Sequence, residues 1–323
     1  MNPLVSVVIT TYNQAAFIAQ TLDSVFAQTY ESYEVIVIDD GSSDDTPARI
    51  EPFEPRITYV RQKNLGVAGA RNAGIIRARG EFIAFLDGDD LWEPDKLAVQ
   101  VAAAQAHPES GLIVVDGLEF DEGGTISPSL FFEPWCREIP EGTVQSGRYY
   151  RELLQRSFIT TTSQVMVPAR VFREVGWSDD RFERASDYDL YIRIAGRFEV
   201  TVVKKRLIRW RYSSGSVSGT RSRRGFRYLP EDIAILKKHL GLSRGEDRMA
   251  LRGIVRARIS AGAEKLYYYG LEQDRGFAAR ALWQLWTKNA ASPRVLLYLA
   301  GLWCPDAVRN RLGRLVRSLL YQG

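Results

Sequence analysis

The chain has few of the residues that most catalytic chemistry draws on. Its 323 residues include two cysteines, Cys136 and Cys304, and two histidines, His107 and His239. Two cysteines make no disulfide framework, and no Cys-x-x-Cys pair is present to hold zinc. A reducing, cytoplasmic setting is therefore expected. So few histidines exclude a His-rich metal centre and argue against a Ser-His-Asp triad. Acid–base and metal chemistry must then rest on carboxylates.

Other absences narrow the class. Met1-Asn2-Pro3 leads straight into an apolar strand, without the charged-then-apolar layout of a signal peptide. No stretch reaches the roughly 18 to 20 apolar residues that span a bilayer. The longest, Val295 to Trp303, is stopped by Pro305, and the chain is not expected to cross a membrane. Thr11-Tyr12-Asn13 stands where a dehydrogenase would carry G-x-G-x-x-G, and no G-x-x-x-x-G-K motif marks a P-loop. A sugar nucleotidyltransferase would need a Gly-rich basic first loop, also missing. The net charge is only +4, and its excess is local, so no nucleic-acid partner is expected.

What is present is an alternation of strands and helices. Leu4 to Thr10 is a near-continuous β-branched run, as in a strand buried on both faces of a parallel sheet. Asn13 stands where a helix N-cap belongs. Ile18, Leu22, Val25 and Phe26 then recur on one helical face. Glu34 to Ile38, Ile57 to Val60 and Phe82 to Leu86 read as further strands, with a helix around Ala68 to Ala78. This is the pattern of an α/β doubly wound, mostly parallel sheet flanked by helices. Such sheets bind ligands at the carboxyl ends of their strands, which directs attention to the residues after Thr10, Ile38 and Leu86.

Acidic clusters lie there. Asp39-Asp40-Gly41-Ser42 follows one strand, Asp87-Gly88-Asp89-Asp90 follows another, and Asp187-Tyr188-Asp189 opens a helix. Crowded carboxylates repel one another, and a divalent cation such as Mn2+ or Mg2+ is one relief. Asp and Gly also make ordinary turns after strands, but three clusters in register with the sheet favour a site.

Three segments carry a resemblance: V-S-V-V-I-T-T-Y-N from Val5 to Asn13, V-I-V-I-D-D-G-S-S-D from Val35 to Asp44, and N-L-G-V-A-G-A-R-N-A-G…F-L-D-G-D-D from Asn64 to Asp90. In this order and spacing the chain resembles family 2 inverting glycosyltransferases of the GT-A fold, of the bacterial polysaccharide-biosynthesis type. The likeness extends through Val171 to Arg193, where S-D-Y-D-L-Y-I-R is similar to the acceptor-side segment, and covers about two thirds of the chain. It implies transfer of a sugar from a nucleotide-diphosphate sugar, UDP- or dTDP-linked, to a hydroxyl of a carbohydrate or lipid-linked carbohydrate acceptor. It also implies roles for residues. Thr10 and Tyr12 line the nucleobase, and Asp40 hydrogen-bonds it. Asp87 contacts the ribose or sugar, Arg71 lies near the nucleotide or pairs structurally, and Asp89 holds the metal. Asp187 is the general base, with Ser186 where the family usually has Glu, and Asp189 is structural. A degenerate transferase acting as a binding or scaffold subunit is the alternative, against which the intact Asp40, Asp87, Asp89 and Asp187 speak.

Residues 204–228 carry Arg209, Arg211, Arg221, Arg223 and Arg224 without an acidic residue, and read either as a cationic loop closing on a diphosphate or as a solvated basic surface. The catalytic domain is expected over 1–228 and an α-helical extension over 229–323. In that extension Val308, Leu312, Leu315, Val316 and Leu319 form an apolar face ringed by Arg309, Arg311, Arg314 and Arg317. Packing against neighbouring helices or peripheral contact with an anionic membrane on its inner face would each account for it.

Overall fold

Seven consecutive buried residues form the first strand, β1 (Val5–Thr11). Parallel neighbours flank it on both sides, β2 (Tyr33–Asp39) and β4 (Phe82–Asp87), while β3 (Thr58–Arg61) lies beyond β2. That double flanking leaves β1 no open edge, while helices pack on both of its faces, Gly74 against Val8, and Ile18, Leu22 and Val25 with Val5, Val7 and Ile9. The computed structural model describes residues 2–131, 133–182, 185–212, 229–242, 245–272, 274–288 and 293–303. Two compact units divide the chain, Met1–Gly219 and Thr220–Gly323; the expected boundary at 228 lies outside the described residues.

The first unit is a mixed, mostly parallel sheet flanked by helices. Its remaining strands are β5 (Leu91–Trp92), β6 (Ser110–Asp121), β7 (Gly124–Ser127), β8 (Val144–Gly147), β9 (Val165–Pro168) and β10 (Glu199–Arg211). The order is β3-β2-β1-β4-β9-β6-β10-β5, with β7 on β6 and β8 on β10. The long ladders, β1 with β2 and β4, and β6 with β10, are parallel. The short β9 runs antiparallel between β4 and β6.

Helices α1 (Ile18–Phe26), α2 (Thr46–Ile50), α3 (Gly66–Arg77) and α4 (Lys96–Ala106) connect the first strands; α5 (Pro134–Glu138), α6 (Tyr150–Gln155), α7 (Ala169–Val175) and α8 (Ser186–Ala195) follow. Ile18, Leu22 and Val25 are the buried face of α1, joining Val5, Val7 and Ile9 in the core. Helix α3 lies close on β1 because Gly74 lacks a side chain: a Cβ there would stand 2.2 Å from Val8 Cγ1. That approach fixes Arg71, one turn earlier, over the sheet's carboxyl edge.

The second unit is helical: α9 (Leu229–Leu242), α10 (Gly245–Glu272), α11 (Arg275–Lys288) and α12 (Pro293–Trp303). Ala263 and Leu266 of α10, Ala278 and Leu282 of α11, and Leu302 of α12 are buried within it, and Tyr267 packs on Tyr298. No helix among the described residues is long and apolar enough to cross a membrane. The basic amphipathic segment around 308–319 lies outside the described residues.

Candidate active site

The ladder register sets the site. Thr10 stands beside Ile38 of β2 and Asp87 of β4, and Thr11 beside Asp39. The sequence-expected residues Thr10, Asp40 and Asp87 thus share one edge, at the carboxyl ends of three parallel strands.

Two loops close the β1 and β2 end. Asn13 does not cap a helix, contrary to the sequence expectation; α1 begins at Ile18 after Phe17. Asn13 instead takes a φ of 52°, a left-handed conformation that Asn tolerates better than most residues. Its Oδ1 accepts from Ser43 N at 2.8 Å, and its own N–H donates to Ser42 Oγ at 2.9 Å. Gln14 N–H adds a bond to Thr46 Oγ1 at 2.9 Å. Asn13 thus bridges two loops rather than capping a helix.

The paired aspartates after β2 divide their work. Asp39 is fully buried and accepts from Ser42 N at 2.8 Å and Tyr59 Oη at 3.0 Å. Burial, then Asp39, push the Tyr59 hydroxyl's pKa upward, so it stays a donor. Asp40 is buried at the strand end, its Oδ1 fixed by Gln62 Nε2 at 2.7 Å and Leu65 N at 2.9 Å. Tyr12 and Leu65 are exposed.

Asp87 is the hub. Thr162 Oγ1 lies 3.0 Å from both its carboxylate oxygens, Thr161 Oγ1 donates at 3.2 Å, and Arg71 Nη2 pairs with Oδ1 at 3.3 Å. Arg71 also donates to Thr162 at 3.0 Å. Asp90 is buried and structural: it accepts from Ser163 Oγ at 2.6 Å and from Arg211 N at 2.9 Å. Burial and the neighbouring Asp89 and Asp87 raise its pKa. Asp89 is held through its backbone carbonyl by Arg211 Nε at 2.8 Å. Burial first, and Asp87 second, push its carboxyl up to about 6.

Arg211 corrects the reading of the basic segment. Lys204 to Arg211 belong to strand β10 rather than to a loop. Lys204 is buried against Asp116 at 2.9 Å, and the Arg211 guanidinium lies over Phe17 and Phe120. The later arginines of the segment lie outside the described residues.

Across the site, α8 brings Asp187 in its first turn. Its Oδ1 accepts from Tyr188 N at 2.8 Å. Burial raises its pKa, against which Arg71 acts to keep it charged. Arg71 is buried, which opposes its charge, yet Asp87 and Asp187 together raise its pKa. Arg71 thus pairs with the strand-end carboxylate and also feels the charge of the helix carboxylate. Asp189, expected to be structural, is fully buried and bonds Arg193 Nε at 2.8 Å. Arg193 in turn holds the carbonyls of Val175 and Trp177, leaving the Trp177 indole exposed. Asn72, next to Arg71, exchanges two bonds with the backbone of Ser178, at 2.9 and 3.0 Å.

Sequence reading missed Thr161, Thr162 and Ser163, whose hydroxyls orient Asp87 and Asp90, and Arg211 as the clamp on Asp89. The Thr-Thr-Thr-Ser run of 160–163 was the available signal. It also missed Tyr191, one turn beyond Asp187.

A divalent cation fits this donor set. Asp87 and Asp89 place two carboxylates on one turn, and after burial the Asp87 charge is the next cause that raises Asp89, a repulsion a cation would relieve. No group of three His, Cys, Asp or Glu residues gathers around a point among the described residues. An ion here would complete its shell with phosphate oxygens and water, as Mg2+ and Mn2+ do.

Comparison with known proteins agrees with this geometry. The model of "Glycosyl transferase family 2" matches residues 6–176. The uncharacterised protein y4gI of Sinorhizobium fredii is 33% identical over 255 residues, 76% of this chain and 26% of that protein. The uncharacterised glycosyltransferase RT0329 of Rickettsia typhi is 30% identical over 198 residues, 59% of this chain and 58% of its own. The matches thus span less than two thirds of these relatives' lengths. Among solved structures, S. aureus TarS 1–349 in complex with UDP-GlcNAc has a TM-score of 0.65 at 17% identity, covering 91% of this chain and 83% of that one. The mannosyltransferase PcManGT of Pyrobaculum calidifontis, in complex with GDP-Man and Mn2+, has a TM-score of 0.54 at 17% identity, covering 99% and 87%.

Proposed function

Because the chain belongs to glycosyl transferase family 2, we propose that it is a metal-dependent inverting transferase. It would move a sugar from a UDP- or dTDP-sugar to a hydroxyl of a carbohydrate or lipid-linked carbohydrate, in cell-surface polysaccharide synthesis. The observation that carries this reading is the cluster at the sheet's carboxyl edge, where Arg71 pairs with Asp87 while the charge of the partly buried helix carboxylate Asp187 acts on the same guanidinium.

In this mechanism the base packs on Tyr12 beside Thr10, and its N–H groups meet Asp40, whose Oδ1 is already oriented by Gln62. Asp87 and Arg71 position the ribose and sugar. Asp89, with Asp87, would hold Mn2+ or Mg2+, which supplies charge neutralisation to the diphosphate oxygens. Asp187 takes the proton of the acceptor hydroxyl as that oxygen bonds the anomeric carbon, and the bond from that carbon to the diphosphate breaks with its electron pair. Attack and departure on opposite faces invert the anomeric centre, without a covalent enzyme intermediate. The burial-raised pKa of Asp187 makes it a stronger base than an exposed aspartate.

The Asp89 carboxyl gives a pH test. Its value of about 6 lies above the ordinary 3.8, so protons compete with the cation from below pH 6 downward. A UDP-sugar has no phosphate group titrating near there. Its metal-dependent affinity should be flat above pH 7 and fall about tenfold per unit below pH 6, as one proton per site is displaced. Calorimetric titration from pH 7.5 to 5 measures this, and a flat profile would remove Asp89 from the role.

We further propose peripheral membrane contact through the basic segment around 308–319. Truncation after Trp303 should abolish salt-sensitive co-sedimentation with anionic vesicles; unchanged co-sedimentation would refute it.

A further inference from the structure

One buried polar group in the site has no task in the mechanism above. Tyr191 is 2% exposed, and its hydroxyl has no hydrogen-bond partner among the described residues. Leaving a hydroxyl unpaired in a closed interior costs on the order of 1 to 3 kcal/mol, and such groups call for an explanation. The same helix shows the ordinary solution: Tyr188 Oη donates to Leu153 O at 2.8 Å.

Position says what Tyr191 faces. It follows Asp187 by four residues, so both lie on one face of α8. Long helical side chains lean toward the N-terminus, which carries the phenol back over the turn bearing Asp187. The charges of Asp187, Arg71 and Asp87 all act on this hydroxyl. Arg71 Nε is a second buried donor without a partner among the described residues. Two open donors therefore stand against two carboxylates. Such alternation suits a sugar hydroxyl, which gives one hydrogen bond and accepts others. Burial above all, and then Asp187, keep the phenol protonated and thus a donor.

We propose that Tyr191 is a substrate-positioning residue, its hydroxyl donating a hydrogen bond to a sugar hydroxyl oxygen bound against Asp87 and Asp187. This rests on the transferase reading above. The sugar hydroxyl comes from the donor or from the acceptor, and one variant distinguishes them.

Tyr191→Phe removes only the oxygen. Because that oxygen bonds nothing described in the protein, the melting temperature of the free variant should stay the same or rise; a structural hydroxyl would lower it. The ligand is the nucleotide sugar that the unmodified protein turns over fastest in a panel, with UDP as the sugar-free control, each with Mn2+. For a donor-side bond, the variant binds UDP normally and the UDP-sugar about tenfold more weakly, the scale of one neutral hydrogen bond. For an acceptor-side bond, both bind normally and the KM for acceptor rises about tenfold. Normal binding of all three together with normal transfer overturns the proposal, as does a lowered melting temperature. If the unmodified protein turns over no nucleotide sugar, the transferase reading fails instead, so the two failures are distinguishable.

Discussion

Asp187→Asn should lower the transfer rate by roughly 10² to 10⁴, the usual cost of losing a positioned general base, while binding of the metal–nucleotide complex stays near that of the unmodified protein. The substitution is close to silent structurally. Asp187 Oδ1 accepts from Tyr188 N, and an asparagine oxygen can still accept that bond, though as a neutral acceptor more weakly. Arg71 loses a nearby negative charge but keeps its pair with Asp87 and its bond to Thr162. With His107 and His239 the chain's only histidines, and both outside the cluster described above, no imidazole stands ready to take over the proton. Single-turnover kinetics with saturating donor isolates the chemical step. A rate within a few-fold of the unmodified protein's would sink Asp187 as the base.

Asp89→Asn should fail differently. A direct carboxylate ligand is lost, and since outer-shell changes alone cost about 10- to 100-fold in metal affinity, nucleotide binding should weaken by more than about 100-fold, with turnover falling alongside it. Its effect on stability should have the opposite sign. The Asp89 carboxyl is raised to about 6 in the folded chain by burial and by Asp87, against an ordinary 3.8. The folded state thus favours its protonated form, and at neutral pH the ionised group detracts from stability. Neutralising it should leave the melting temperature of the free protein unchanged or higher. A residue that strains the empty fold and serves only a bound ligand behaves so; one that merely tied the turn together would lower the melting temperature when replaced. Calorimetric titration and thermal unfolding of the same sample check both halves.

How far the sequence foretells the molecule depends on whether a signal is local. The strands β1, β2 and β4 were legible because burial on both faces demands an unbroken β-branched run, and the acidic turns after them because strand ends are where a parallel sheet opens. Strand β9 was not legible. Its four residues, Val165–Pro168, carry no periodicity, and their place between β4 and β6 is a matter of long-range pairing. Asn13 was misread for a related reason, since its best partners, Ser42 and Ser43, lie some thirty residues away. Lys204 to Arg211 read as a charged surface or loop because lysines and arginines at that density rarely enter a sheet. Here Lys204 pairs with Asp116, and the Arg211 guanidinium donates to the Asp89 carbonyl; only the folded chain brings those partners together. Thr161, Thr162 and Ser163 became meaningful only once β9 placed them under Asp87.

The account turns on separating binding from chemistry, which also distinguishes a working transferase from a catalytically inert binding subunit. The most direct measurement is a parallel one on the unmodified protein, Asp187→Asn and Asp89→Asn. Each is titrated calorimetrically with the UDP-sugar and Mn2+ and assayed for release of the nucleoside diphosphate. The account predicts that the unmodified protein binds and turns over, that Asp187→Asn binds but does not turn over, and that Asp89→Asn does neither. Binding without turnover by the unmodified protein, or equal turnover by Asp187→Asn, would contradict it.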